Sequence, residues 1–369
     1  MTSISKQEIT MLQLKYLACA HLGGALLHSV LLTTVTGKDS WIIAFFGAIS
    51  YLPFIFVNSK LAENHPQKSL FGIHDTVYGK TVGRALSFLY VIFYVSMTAV
   101  NLLEAADFVF GIMLPNTPKI VIVIFFVICC AYTVSKGIEP LAAVSTLIVF
   151  LFGSVILLNT VVALITHSDF KRIMPIMQLP LKNYLHGTLL ALSMPYGESF
   201  FVMMLLPNIK DGSSIKKVFF TTTLVSMSTI FALHLKETFT LGRMVKIFSH
   251  PVFEAVKLVE FGDDLTRIEI FFAIAMLSMI LMKTSVLMYI CLSGFAHIID
   301  SDNYQPYTNV FGAFLVVFSM TVIRQSIDFI YWGINVIPIL YIFFQLALPL
   351  VTLLVDMFKK QRNKKPKTV

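Results

Sequence analysis

A proline, a glycine and a glutamate lie close together inside a long apolar stretch of the chain. The stretch runs from about residue 185 to 206, with Pro195, Gly197 and Glu198 near its middle. Roughly 20 apolar residues at 1.5 Å each cross a hydrocarbon core of about 30 Å, so the stretch predicts a membrane-spanning helix. Proline removes an amide donor and glycine loosens the backbone. We therefore expect a broken helix whose freed peptide groups, with those of Tyr196, bind a small polar ligand.

Glu198 places a carboxyl group near the middle of this span, where a charge is rare and is by default a functional candidate. Two roles are open for it. It accepts hydrogen bonds from amides that the break frees, which we favour because those amides must be satisfied first, or it accepts the ammonium group of a ligand.

The first apolar span contains a second interruption, formed by Leu22, Gly23, Gly24 and Ala25. Consecutive glycines weaken a helix, although glycine also serves helix packing in membranes. Spans one and six are corresponding members of two five-span halves, and this is the pattern of transporters built from inverted repeats. Such proteins bind ligand at the midplane between the two broken helices. Helix ends and unwound carbonyls together suit a zwitterion such as an amino acid.

Two further spans carry polar residues at depth. Asn101, Glu104 and Asp107 recur every three residues along span three, with Asp107 nearest the interface. Lys283 lies near the middle of span eight, too deep to reach water easily. We predict that Lys283 replaces the cation that sodium-coupled relatives of this fold bind, or that it pairs with Glu198 or Glu104. A neutral lysine that serves only packing is the alternative.

Several kinds of chemistry are excluded or unsupported. His21 and His28 share a face of span one, but two histidines alone do not make a metal site, and we interpret them as core histidines with satisfied hydrogen bonds. The four cysteines fall in apolar runs without zinc-ligand spacing. There is no phosphate loop, nucleophile elbow or HExxH pair, so we expect no catalytic residues, no metal and no cofactor.

The composition is that of a polytopic membrane protein. Of 369 residues, 57% are apolar and only 13% are charged, against about 25% charged in a soluble domain. The net charge of +8 is concentrated in a basic tail, residues 359–369, and does not indicate nucleic-acid binding. Such a tail usually lies at the anionic cytoplasmic face of a bilayer.

The apolar runs predict an all-α bundle of about ten transmembrane helices in one domain, residues 1–358. The interruptions in spans one and six indicate the 5+5 inverted-repeat architecture of LeuT-type transporters. The predicted spans are 9–33, 40–59, 84–113, 119–135, 140–166, 185–206, 217–236, 268–298, 307–324 and 332–357. Lysine and arginine are more frequent on the side that holds both termini, which predicts cytoplasmic termini. The outer segment 237–267 contains an amphipathic helix after Ser249-His250-Pro251, either a lid over a cavity or a plain surface helix.

Several short motifs occur along the chain in a fixed order. They are Ile4-Ser5-Lys6-Gln7-Glu8, Leu70-Phe71 before Tyr78-Gly79-Lys80-Thr81-Val82-Gly83, Asn116-Thr117-Pro118, Gly197-Glu198 followed by Leu206-Pro207, and Pro251 through Thr266-Arg267-Ile268-Glu269. With this order the chain resembles the integral-membrane B subunit of the spore germinant receptors of endospore-forming bacteria, a relative of the APC permeases. The stretch from Ala25 to Leu31 departs from the family, since it lacks the usual proline and arginine.

The resemblance implies a nutrient sensor of the spore inner membrane. Its expected partners are a larger membrane subunit with a soluble domain (A type) and a lipoprotein subunit (C type), with the bilayer around it. A germinant such as an amino acid would bind between spans one and six, and spans three and eight would complete the pocket with Asn101, Glu104 and Lys283. The rival hypothesis is a permease that moves an amino acid through the same site, and a third is a structural subunit without a ligand.

Overall fold

The computed structural model describes most of the chain. The described residues are 7–166, 170–210, 215–259, 268–322 and 326–364. Some of the predicted features fall elsewhere: the start of the opening motif, residues 260–267 of the amphipathic segment with Thr266-Arg267, and the end of the basic tail lie outside the described residues.

The described residues form helices joined by short turns, with one isolated pairing of extended backbone between Ile9 and Ile209. The α-helices are α1 (Met11–Gly23), α2 (Ser29–Thr36), α3 (Ser40–Asn64), α4 (Leu70–Tyr78), α5 (Lys80–Phe108), α6 (Lys119–Ser135), α7 (Ile138–Thr166), α8 (Phe170–Ile173), α9 (Leu181–Ala191), α10 (Ile215–Leu241), α11 (Pro251–Lys257), α12 (Ile268–Ile298), α13 (Thr308–Val322), α14 (Ser326–Asn335), α15 (Ile337–Ile342) and α16 (Leu348–Lys364).

Six helical segments of the described chain are long and apolar enough to cross a membrane. The first, Met11–Asn64, contains the predicted spans one and two, and the other five correspond to spans three, five, seven, eight and ten. Span four is the shorter apolar helix α6. Span six is divided into shorter helical pieces by its break. Span nine corresponds to α13, which has 15 residues. The expected all-α membrane bundle is confirmed.

The first span is broken as predicted. Helix α1 ends at Gly23, a 3₁₀ turn covers Leu26–His28, and α2 begins at Ser29. Gly24 is needed here for close approach: a methyl group on it would lie 2.7 Å from Lys283 Cβ and 2.9 Å from the Met279 carbonyl oxygen of α12. The broken segment therefore packs directly on α12.

The sixth span is broken more severely. Helix α9 gives way to a π turn over Leu192–Tyr196, in which Met194 has extended backbone (φ −136°, ψ 117°). The chain then continues as a 3₁₀ helix, Gly197–Met204. Pro195 has no amide hydrogen to donate, so an unbroken α-helical ladder cannot form here.

Helix α12 lies at the centre of the bundle and packs against α1, α5, α6 and α7. The outer surface of the bundle carries many exposed large apolar side chains, among them Phe125, Phe150, Ile165 and Val310. A contiguous apolar surface of this kind fits a bilayer, because lipid tails leave no penalty on exposed hydrocarbon.

Some predicted boundaries differ from the structure. Span seven, predicted to end at 236, continues as α10 to Leu241, so Glu237 belongs to the buried bundle with Lys236 rather than to a loop. Span ten, predicted at 332–357, includes a break at Val336 between α14 and α15. Helix α16 extends to Lys364, which makes the first part of the predicted tail helical.

Helix α11 forms within the predicted amphipathic segment and begins with Pro251 in its first turn. Val252, Phe253, Ala255 and Val256 are buried, whereas Glu254 and Lys257 form a more exposed ion pair (2.8 Å). Ser249 does not cap this helix; the cap position is held by His250, whose side chain makes no capping hydrogen bond.

Candidate functional site

Five titratable side chains meet where the two broken spans approach each other. We call them the central cluster: His21, His28, Glu104, Glu198 and Lys283. Each is at most 6% exposed. His21 lies in the last turn of α1 and His28 in the first break. The 3₁₀ helix after the second break supplies Glu198, and α5 and α12 supply the other two.

An ion pair lies at the centre of this cluster. Lys283 Nζ is 2.8 Å from Glu198 Oε2, and neither side chain is exposed. One of the two pairings predicted for Lys283 is therefore confirmed. The pair joins α12 to the broken sixth span, and Gly24 of the first break packs on the aliphatic part of the lysine. Removing one member of such a pair leaves the other as a buried charge without a partner. This lowers the stability far more than removing both members does.

His28 lies between the two carboxylates. Its Nε2 atom is 2.9 Å from Glu104 Oε2 and its Nδ1 atom is 3.7 Å from Glu198 Oε1. His21 Nε2 is 4.0 Å from Glu198 Oε2, and its ring stacks on Phe201 with centroids 4.2 Å apart. Side chains from the first break therefore contact both carboxylates.

The cluster is rich in unused hydrogen-bonding capacity. In the described chain, both ring nitrogens of each histidine, both oxygens of Glu198, Glu104 Oε1 and Lys283 Nζ are buried without a hydrogen bond. Lys283 Nζ and Glu198 Oε2 nevertheless lie within ion-pair distance of each other. Two predictions are wrong here. The histidines are in the core but are not satisfied, and the carboxylate of Glu198 does not bond to backbone amides that the break frees.

The space between the breaks is almost filled by side chains. A cavity of about 20 Å³ remains, lined by residues that include Ala25, His28, Pro195 and His234. That volume holds one water molecule. A solute can enter between the breaks only if these side chains or helices move.

The other predicted site residues lie around the cluster rather than in it. Leu22 and Gly23 line a mostly apolar cavity of about 640 Å³ between α1, α7, α10 and α12. The Tyr196 hydroxyl donates to the Ala44 carbonyl oxygen (2.8 Å), and Asn101 Nδ2 donates to the Met97 carbonyl oxygen (2.8 Å). The structure therefore brings together Glu104, Glu198 and Lys283 from the predicted set, and it turns Tyr196 and Asn101 toward helical carbonyls.

Gln345 is a neighbour of the site that sequence reasoning missed. It sits in a π turn, Phe343–Ala347, and its Oε1 atom approaches the backbone at Gly197. A side chain at Gly197 would collide with it. Nothing in the sequence marks this turn, whereas the spacing of His21 and His28 did place two titratable groups on one face of span one.

A second group of buried charges lies on α10. His234 Nδ1 is 2.7 Å from Glu237 Oε2. Lys236 Nζ donates to Asn159 Oδ1 (3.1 Å) and lies 4.8 Å from the centre of the Phe272 ring. His234 also lines the water-sized cavity beside His28. No three metal-ligating side chains of the described residues are arranged to hold a metal ion.

Replacing Gly24 with alanine is expected to destabilise the protein by about 1–3 kcal/mol, the usual cost of overpacking. The added methyl group would meet Met279 backbone and the Lys283 stem. Gly23→Ala is the control, because the nearest atoms to its methyl group would be those of the flexible Met279 side chain. Unfolding of both variants by sodium dodecyl sulfate in mixed micelles measures the difference; equal losses would contradict the close packing of the break on α12.

An all-helical membrane bundle whose first and sixth spans are broken is the architecture of inverted-repeat transporters and their relatives. Solved structures agree. Mhp1, a nucleobase-cation-symport-1 family transporter with bromovinylhydantoin bound, superposes with a TM-score of 0.66 over 95% of this chain and 79% of its own, at 10% identity. A mutant of the manganese transporter of Eremococcus coleocola gives a TM-score of 0.57 over 93% and 77%, at 14% identity. At such identities the likeness shows the fold alone.

Within this class, the chain belongs to the spore germination protein family, whose model matches residues 5–330. Spore germination protein KB of Bacillus subtilis (strain 168) is 24% identical over 348 residues, covering 92% of each chain. Spore germination protein XB of Bacillus anthracis is 24% identical over 251 residues, covering 63% of this chain and 65% of its own. The family resemblance found in the sequence motifs is confirmed.

Proposed function

We propose that this protein is a nutrient-sensing subunit of a spore germinant receptor, which binds a small solute such as an amino acid where the two broken spans meet. The observation that carries the proposal is the buried Glu198–Lys283 ion pair between the sixth span and α12. Lys283 and Glu198 are held together by their ion pair and by no hydrogen bond in the described chain, so each end of a zwitterion can replace one member of the pair. Family membership supports the role in germination.

In this proposal the ligand acts by separating the ion pair. A ligand carboxylate pairs with Lys283 and a ligand ammonium with Glu198, so that each charge keeps a partner while the direct bond between the helices is lost. Because the unliganded site has room for one water molecule, binding requires the broken segments to move. The ligand thereby favours the opened packing over the closed one, and that population shift is the signal.

The proposed partners are those implied for a B-type subunit: an A-type membrane subunit with a soluble domain and a C-type lipoprotein. The proposed location is the inner membrane of the spore, with both termini in the cytoplasm. Opening of the bundle would alter the surface that these subunits contact.

A permease that translocates its solute is the second candidate, and its support is the likeness to transporters of known structure. The same site would then open alternately to the two sides of the membrane. A structural subunit without a ligand is the third candidate, in keeping with the near-filled space between the breaks.

One experiment separates the three. The purified protein in lipid nanodiscs is titrated with a nutrient panel by calorimetry, its vesicles are assayed for uptake of labelled solutes, and spores lacking the gene are tested for germination. Binding without flux, with loss of germination, is expected. Robust flux by the protein alone would favour the permease, and no binding to any nutrient would favour the structural subunit.

A further inference from the structure

A second cavity, of about 450 Å³, touches the central cluster from the side of α11. We call it the α5–α11 cavity. Its walls come from the C-terminal part of α5, the first break and the segment before α11, and they include the apolar side chains of Leu27, Phe110 and Phe248. The volume is within the range of small-molecule sites. Unlike the space between the breaks, this cavity has room for a solute without rearrangement.

Glu104 is the link between this cavity and the central cluster. Its side chain is 6% exposed and lines the cavity. One oxygen, Oε2, faces His28 at 2.9 Å. The other, Oε1, is buried and has no hydrogen bond in the described residues. A buried carboxylate oxygen without a donor is costly, and a donor entering from the cavity would remove that cost.

The other acids at the cavity wall already have lysine partners. Asp107 pairs with Lys119 (2.5 Å) and Glu254 pairs with Lys257 (2.8 Å). The ion-pair partner of Glu104 among the described residues is His28, which is charged only when protonated. The central cluster therefore holds two carboxylates and one lysine, and it lacks one positive charge whenever its histidines are neutral.

His250, at the wall of the cavity, does not supply that charge at neutral pH. Burial lowers its pKa below the ordinary histidine value, against the smaller, opposite influence of Asp107, Glu104 and Glu254. A group whose pKa is depressed in this way is neutral near pH 7. The wall of the α5–α11 cavity thus offers a carboxylate, apolar surface and no unpaired lysine among the described residues.

We propose that the α5–α11 cavity binds a small organic cation, with a primary ammonium group paired to Glu104 and an alkyl part packed against Leu27, Phe110 and Phe248. This rests on the proposed function and deepens it, because it names the group by which a solute is first held. The ligand needs the ammonium and does not need a carboxylate. A simple amine is therefore expected to bind here as tightly as an amino acid with a side chain of the same size.

The test uses isobutylamine, isobutanol and isovalerate, which have similar shapes and different charges. Each is titrated by calorimetry at neutral pH into the full-length protein in nanodiscs. Isobutylamine is expected to bind at least about tenfold more tightly than the other two, the effect of one charge-assisted hydrogen bond in a buried site. Glu104→Gln is expected to remove this preference. The control Asp107→Asn/Lys119→Met removes an ion pair of zero net charge from the same wall. This control is expected to retain the preference for isobutylamine.

A second measurement avoids dependence on the folding of Glu104→Gln. Ile112→Cys is placed in the cavity wall in a background without native cysteines and labelled with cationic and anionic methanethiosulfonates. The cationic reagent is expected to react faster, and isobutylamine is expected to protect the thiol. Equal rates without protection, or equal affinity for isobutylamine and isobutanol, would overturn the proposal.

Failure of this inference is distinguishable from failure of the proposed function. If isobutylamine does not bind but a nutrient binds and triggers germination, the α5–α11 proposal is wrong and the sensor proposal stands. If isobutylamine binds as described and no nutrient binds or triggers germination, the cation site stands and the sensor proposal is wrong.

Discussion

Lys283→Met is expected to destabilise the protein by about 3–5 kcal/mol, the usual cost of removing one partner of a buried ion pair. Methionine keeps most of the volume of lysine, so the loss comes mainly from charge. Among the described residues, Glu198, only 1% exposed, then has no cationic partner except His21 and His28, which must first take up a proton. The measurement is unfolding by sodium dodecyl sulfate in mixed micelles, followed by circular dichroism.

The double variant Lys283→Met/Glu198→Gln provides the matched control. It removes both charges, and we expect it to regain much of the lost stability, with a coupling energy of about 1–3 kcal/mol between the two sites. Losses that simply add, or a Lys283→Met protein as stable as the wild type, would show that the pair does not hold α12 to the broken sixth span.

Glu237→Ala is expected to cost a comparable amount, about 3–5 kcal/mol, because it removes the buried partner of His234 and the acid next in sequence to the buried Lys236. Glu237 and Lys236 are both fully buried on α10. Without the glutamate, His234 loses a 2.7 Å contact. The ammonium of Lys236 keeps the Asn159 oxygen and the Phe272 ring, neither of which carries a compensating charge. Unfolding in mixed micelles again measures the loss.

Glu254→Ala is the control for burial. Glu254 pairs with Lys257 at 2.8 Å, and that lysine side chain is 42% exposed. Exposed pairs contribute about 0–1 kcal/mol, so this loss should be small. Similar losses for Glu237→Ala and Glu254→Ala would mean that the charges on α10 are not part of the structural core.

The fold followed from simple features of the sequence. Apolar runs of membrane-spanning length predicted the helical bundle, and backbone chemistry predicted the breaks: paired glycines in the first span, and Pro195 with Gly197 in the sixth. These are local effects, which act whatever the neighbours are. The end of α10 was missed because Lys236 and Glu237 read as a polar boundary, whereas tertiary partners such as Asn159 and Phe272 keep them inside the bundle.

The candidate site was predicted only in part, again because tertiary contacts decide features that a single span does not encode. Charges inside a span are conspicuous, so Glu104, Glu198 and Lys283 were found. Which of them meet depends on how the helices rotate and cross, and no single span encodes that. His28, which looked like an ordinary core residue, therefore became the link between the two carboxylates, and His21 contacts only Glu198. Gln345 depends on a π turn in the last span, which has no composition signal.

Binding of the active nutrient to the folded double variant Lys283→Met/Glu198→Gln tests the sensor proposal most directly. The nutrient is the one that the panel identifies with the wild-type protein, and calorimetry in nanodiscs measures both affinities. Loss of both charge partners is expected to weaken binding by about a hundredfold or more. Unchanged affinity in a variant that is still folded would contradict the claim that the solute is held by the ion pair between the broken helices.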